Sequence, residues 1–138
     1  MNMTKYDVTE IEGIGETYGH KLKVAGVQTT GDLLAKAGTK KGRELLATET
    51  GLPENLILTW VNHADLMRIN GIGGQISELL EASGVDTVRE LAHRNPEHLH
   101  EKISEVNDKF GLSGKVPSAK ELKEMIAQAS QMEKMIFH

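Results

Sequence analysis

The sequence contains no cysteine, which excludes disulfide bridges, thiolate nucleophiles and cysteine-ligated zinc in one step. Aromatic residues are scarce, at 4%, so the core must rest on Leu, Ile, Val, Ala and Met. No apolar run approaches the ~20 residues that span a bilayer. The opening stretch from Met1 to Asp7 has no apolar segment of signal-peptide length. A cytoplasmic protein without a membrane partner is the expectation. An excess of positive charge is also missing: the net charge is −4. The halves do not differ in sign, with seven basic and nine acidic side chains in 1–65 and nine and eleven in 66–138. Bulk attraction to nucleic acid is thereby excluded, and any anion site must be local.

What is present points to a folded chain. Hydrophobic residues make up 38% of the 138 positions, and 14 glycines bring the apolar total close to the globular average. Two segments superpose at an offset of 58 residues. The first reads Ile11-Glu12-Gly13-Ile14-Gly15, then Tyr18, Leu22, Gly26-Val27, Thr29 and Leu33. The second reads Ile69-Asn70-Gly71-Ile72-Gly73, then Ile76, Leu80, Gly84-Val85, Thr87 and Leu91. Beyond them the copies drift apart through short insertions in the second.

The punctuation within each copy is helical. Gly26 and Gly84 stand where a helix ends in a left-handed residue, with Val27 and Val85 folding back behind it. Thr87-x-x-Glu90 and Ser118-x-x-Glu121 have capping-box form. Pro53, Pro96 and Pro117 fall at first helical turns, with Asn95 as an N-cap. Apolar residues recur at three- and four-residue spacing around Trp60 and around Met125. Sustained alternation is lacking, so no sheet is expected. The pattern predicts helices near 4–11, 16–25, 30–37, 40–50, 53–67, 74–83, 87–94, 96–110 and 118–132. The fold class is all-α: two tandem helix-hairpin-helix repeats, 1–67 and 68–138, packed as one compact helical domain.

A Gly-x-Gly turn between helices has a definite physical use. Its glycines let another molecule approach the backbone, and the first amides of the following helix point outward without partners. With the helix dipole they form a small anion site suited to a phosphate. Ile14 and Ile72 anchor the two turns in the core. The pattern resembles the helix-hairpin-helix motif of repair and replication proteins. That resemblance implies sequence-independent DNA binding through Gly13, Ile14, Gly15, Gly71, Ile72 and Gly73, with a monovalent cation as the one cofactor to consider. Tandem hairpins joined by Leu56-Ile57-Leu58-Thr59-Trp60-Val61-Asn62-His63-Ala64-Asp65-Leu66, and the stretch Arg94-Asn95-Pro96-Glu97-His98-Leu99-His100, resemble the DUF4332 family over roughly 8 to 132. The resemblance implies a fold more than an activity.

Lys21, Lys23, Lys40, Lys41 and Arg43 are the cations placed to assist. Residues 16–45 carry six basic against three acidic side chains, a surplus that would support weak, salt-sensitive contact. Glu12 and Glu16 flank the first turn with the opposite sign. His93, His98 and His100 lack metal-ligand spacing, since neighbours on a helix face lie three or four apart. Gly71-x-Gly73-x-x-Ile76 lacks both the preceding strand and the third glycine of a dinucleotide site. No catalytic or metal set is predicted, and an enzyme is not expected. Two readings of function remain. One is non-catalytic nucleic-acid binding. The other is a protein-interaction scaffold with structural hairpins, which uses its apolar C-terminus or a helical face for a partner. That C-terminus (Met125, Ile126, Met132, Met135, Ile136, Phe137) either packs against the body or makes a partner or dimer contact.

Overall fold

The structure is a computed structural model and describes residues 6–138. Its elements are a single 3-10 turn, Val8–Glu10, followed by α1 (Glu16–Val24), α2 (Thr30–Ala37), α3 (Lys40–Thr50), α4 (Glu54–Leu66), α5 (Gly74–Ala82), α6 (Val88–Ala92), α7 (Pro96–Phe110) and α8 (Ala119–Ala129). The protein is all-helical, and no strand occurs among the described residues. One isolated antiparallel bridge joins Asp7 to Thr29. The helix expected near 4–11 falls partly outside the described residues. Within them it is only the 3-10 turn, which Asp7 caps by accepting from the Thr9 amide. No helix among the described residues is long and apolar enough to cross a membrane.

Local chemistry accounts for most boundaries. Thr29, Thr39, Thr87, Asn95 and Ser118 each accept a backbone amide at the start of their helix. The Ser118–Glu121 capping box is complete. At Thr87 only the hydroxyl half forms, because Glu90 reaches back to the Asp86 amide instead. A further box joins Thr29 and Asp32. The ends of α1 and α5 match: Val27 donates to the Leu22 carbonyl and Val85 to that of Leu80, both at 2.9 Å. This closure requires left-handed Gly26 and Gly84, whose φ values are +89° and +92°.

Packing repeats as well. In the first half α2 and α3 lie on α4; in the second α6 and α7 lie on α8; α4 against α5 joins the halves. Trp60 is buried and its ring centroid lies 5.3 Å from that of Tyr18, pinning α1 to α4. One continuous apolar core runs from Val8 to Ile136.

After α8 the chain crosses back to the first half. Glu133 accepts from Arg68, Phe137 donates its amide to the Gly38 carbonyl at 2.7 Å, and the Phe137 carbonyl accepts from Arg43. Ile136 is buried, and Met132 and Met135 pack partly buried against the core.

Candidate functional site

The two glycine turns share one geometry. Gly13 and Gly71 have φ of +90° and +91°, and the following Ile14 and Ile72 amides donate to Ile11 and Ile69, both at 3.1 Å. Both isoleucines are buried. Gly15 and Gly73 then serve as N-caps of α1 and α5 without any side-chain cap. The first bonds of these helices come from Gly19 to Gly15 and from Ser77 to Gly73. The intervening amides of Glu16, Thr17 and Tyr18, and of Gly74, Gln75 and Ile76, therefore take no acceptor among the described residues.

The surroundings of the turns differ. Gly13, Gly15, Glu16 and Thr17 are exposed, and a methyl group added at Gly13 or Gly15 would meet nothing within 4 Å. A shallow depression lined by Thr9, Glu10, Glu12 and the Gly13–Gly15 turn opens beside them. The second turn is partly covered. A methyl on Gly74 would collide with the Glu10 carbonyl oxygen and lie 3.5 Å from a Glu12 carboxylate oxygen; one on Gly71 would lie 3.1 Å from the Met125 side chain. The Asn70 amide donates to Gln128 on α8. The two turns are thus neighbours, and the acidic shoulder of the first leans on the second.

The cations divide into three groups. Lys21, Lys40 and Lys41 are exposed and make no ion pair among the described residues. Lys23 is paired with Asp7 at 3.2 Å. Asp7 is held down to about 2, first by the Thr9 hydroxyl and amide and then by Lys23. Arg43 departs from the expected role: it is 4% exposed, and its guanidinium donates to the carbonyls of Ala37, Gly38 and Phe137. Burial lowers its pKa from the usual value, and its guanidinium hydrogen bonds are made within the fold.

The fold also assembles groups that motif reading missed. At the α4–α5 seam, His63 is buried with Nδ1 3.4 Å from Ser77 Oγ and Nε2 3.1 Å from Glu81 Oε2. The second approach is off the line of a hydrogen bond, and Nε2 has no such partner. This trio has nucleophile–base–acid composition, but Ser77 is fully buried and its hydroxyl donates to the Gly74 carbonyl. Glu78, close by, is pushed up first by burial and then by Glu12 and Glu81, against the opposing pull of His63. Asp65 and Arg68 form a buried pair at 2.7 Å. Their i,i+3 spacing was the available sign. His93 and His100 engage the carbonyls of Arg89 and Pro117. No group of three His, Asp or Glu among the described residues is arranged to hold a metal.

An all-helical chain with paired glycine turns, each opening an uncapped helix, is the class that fold and site define. The family model described as Domain of unknown function (DUF4332) matches residues 12–132, and the chain belongs to that family. No curated protein and no solved structure matches the chain.

Proposed function

We propose that the protein binds nucleic acid without sequence preference, as a helix-hairpin-helix module whose first turn, Gly13-Ile14-Gly15, receives a backbone phosphate. The observation that carries this reading is the open first turn: consecutive main-chain amides without acceptors, at an uncapped helix start, under glycines that nothing covers. Outward amides and the α1 dipole suit an anion there. Lys21, Lys40 and Lys41 supply free positive charge, whereas Arg43 belongs to the core. The second turn, half-covered and beside Glu12, has a minor share. Against a net charge of −4, affinity falls roughly in the 10⁻⁴–10⁻⁶ M range of non-specific contact. The alternative is a protein-interaction or homodimer scaffold. The large exposed apolar side chains are divided among α1, α3, α7 and the tail, which favours nucleic acid.

Gly15→Asp separates binding from folding. Aspartate is a good N-cap, so the variant should melt at or slightly above the wild-type temperature, gaining a few tenths of a kcal/mol. Its carboxylate would occupy the amides and repel phosphate. Fluorescence anisotropy of a short labelled DNA at low salt should show wild-type binding that weakens as salt rises, and at least fivefold weaker binding by the variant. Unchanged anisotropy with wild-type protein, or equal binding by both, defeats the proposal. Light scattering across a concentration series reads out the scaffold alternative.

A further inference from the structure

A second site lies away from the glycine turns. Between α6, the end of α8 and the returning tail is a cavity of about 350 Å³, within the size range of small-molecule pockets. Its walls are Val88 and Ala92 on one side and Ala129, Met132, Met135 and Ile136 on the other. Asp65 and Arg68 also line it. Arg68 is 3% exposed; its Nε and Nη2 donate to Asp65 Oδ1 at 2.9 and 2.7 Å, and Nη2 also donates to the Glu133 carbonyl. Asp65 Oδ2 is taken by the Val88 amide at 2.9 Å. Arg68 Nη1 has no acceptor among the described residues, yet it is not among the sealed polar atoms. Arg68 lines the cavity, and Nη1 is the guanidinium nitrogen left for an outside acceptor.

Asp65 is spent on Arg68 and on the α6 backbone. Exposed Arg89 and Lys134 line the cavity with one opposing carboxylate, Glu133. His93 and His138 add further ring nitrogens to the lining. The lining side chains therefore set three cations, Arg68, Arg89 and Lys134, against two carboxylates, Asp65 and Glu133, over largely apolar walls.

We propose that this cavity binds a small amphipathic monoanion, a carboxylate with an aliphatic body, its head on Arg68 Nη1 and near Arg89 and Lys134, its body against Val88, Ala92 and the tail methionines. One free guanidinium edge, with its single unpaired nitrogen, matches a carboxylate monoanion rather than a dianion. The second half of the chain supplies the whole lining except Asp65, and the returning tail must be in place to close it.

The test titrates octanoate, octan-1-ol and octylamine into the full chain, observed by amide and methionine-methyl NMR. Octanoate at millimolar concentration should shift Val88, Arg89, Ala92 and the Met132 and Met135 methyls. The alcohol and the amine should bind roughly tenfold more weakly, the factor a charge-assisted hydrogen bond supplies. Arg89→Gln with Lys134→Gln should weaken octanoate severalfold and leave the alcohol unchanged. Ala92→Phe fills the space without removing any polar contact and should abolish octanoate shifts while the thermal melt persists. If Ala92→Phe unfolds the chain, the charge-pair variant decides alone. Absence of shifts, equal binding of acid and alcohol, or octanoate binding unaffected by the charge-pair variant would overturn the proposal.

Discussion

Arg43 and Lys41 read alike in the sequence, two cations of one cluster at the start of α3, yet they do opposite work. Lys41 is solvated. Arg43 spreads its donors over three carbonyls from α2, its cap and the tail, which a planar guanidinium on a long apolar stem can do and an ammonium cannot do as well. Residue type alone could not reveal this, because one of the acceptors lies 94 residues away. Arg43→Ala should cost about 2–4 kcal/mol, since hydrogen bonds to charged groups contribute ~1.5–3 kcal/mol each and the carbonyls left behind are shielded. Lys41→Ala should stay within about 0.5 kcal/mol and weaken DNA binding at low salt. Urea melts and anisotropy on the same samples check both. Glu78 makes a pH-dependent prediction. Its folded pKa is raised by burial, Glu12 and Glu81, so the charge it carries at neutral pH is unfavourable in the fold. Its contribution is most favourable below the unfolded pKa and is lost as pH rises through the folded value. Glu78→Gln should therefore raise the melting temperature at pH 7 by a few degrees and change it little near pH 4. The opposite pH order would refute the assignment.

Helix ends were the most legible elements, because their causes are local. The closures at Gly26 and Gly84, the Asn95 cap and the Ser118 box all lie within six residues of sequence. The Thr29–Asp32 box escaped notice because aspartate replaces the glutamate that usually marks N3. The stretch after Ala92 reads as helix by composition, but His93 donates to Glu90 and Arg94 to Leu91, three residues back, and α6 stops. The glycine turns were found from the repeat itself. Their unequal exposure was not, since it depends on how α5 meets the 3-10 turn. That contact makes adjacent glycines respond differently. Gly73→Ala adds a methyl into open space at an ordinary negative φ, whereas Gly74→Ala drives one into the Glu10 carbonyl. The first should leave stability within about 0.5 kcal/mol. The second should cost about 1–3 kcal/mol, the range for overpacking against an unyielding backbone. Equal denaturation midpoints for the two variants would refute the close approach of the turns.

For the molecule as a whole, the tail adds a second tie between the two halves, beside the packing of α4 on α5. Apolar composition marked the C-terminus as greasy without saying what it touches, because its partners Arg68 and Gly38 lie 65 and 99 residues upstream. A chain ending at Gln131 loses the buried Ile136 side chain, worth ~1.5–3 kcal/mol. It also loses the carbonyls of Glu133 and Phe137, acceptors for two buried arginines, adding ~1.5–3 kcal/mol for each bond that water does not replace. The expected penalty is about 3–5 kcal/mol in urea denaturation, with the remaining chain still helical by circular dichroism. Its amide spectrum should change at Gly38 and Arg43 in the first half and at Val88 in the second, far apart in sequence but joined through the strap. Gly38→Ala should act in the same direction on the intact chain, because its methyl would fall 2.5 Å from the Met135 carbonyl oxygen. Should truncation leave the melt unchanged and shift only residues of α8, the copies would be held by α4 and α5 alone. The cavity beside Arg68 would then have one wall fewer than its geometry requires.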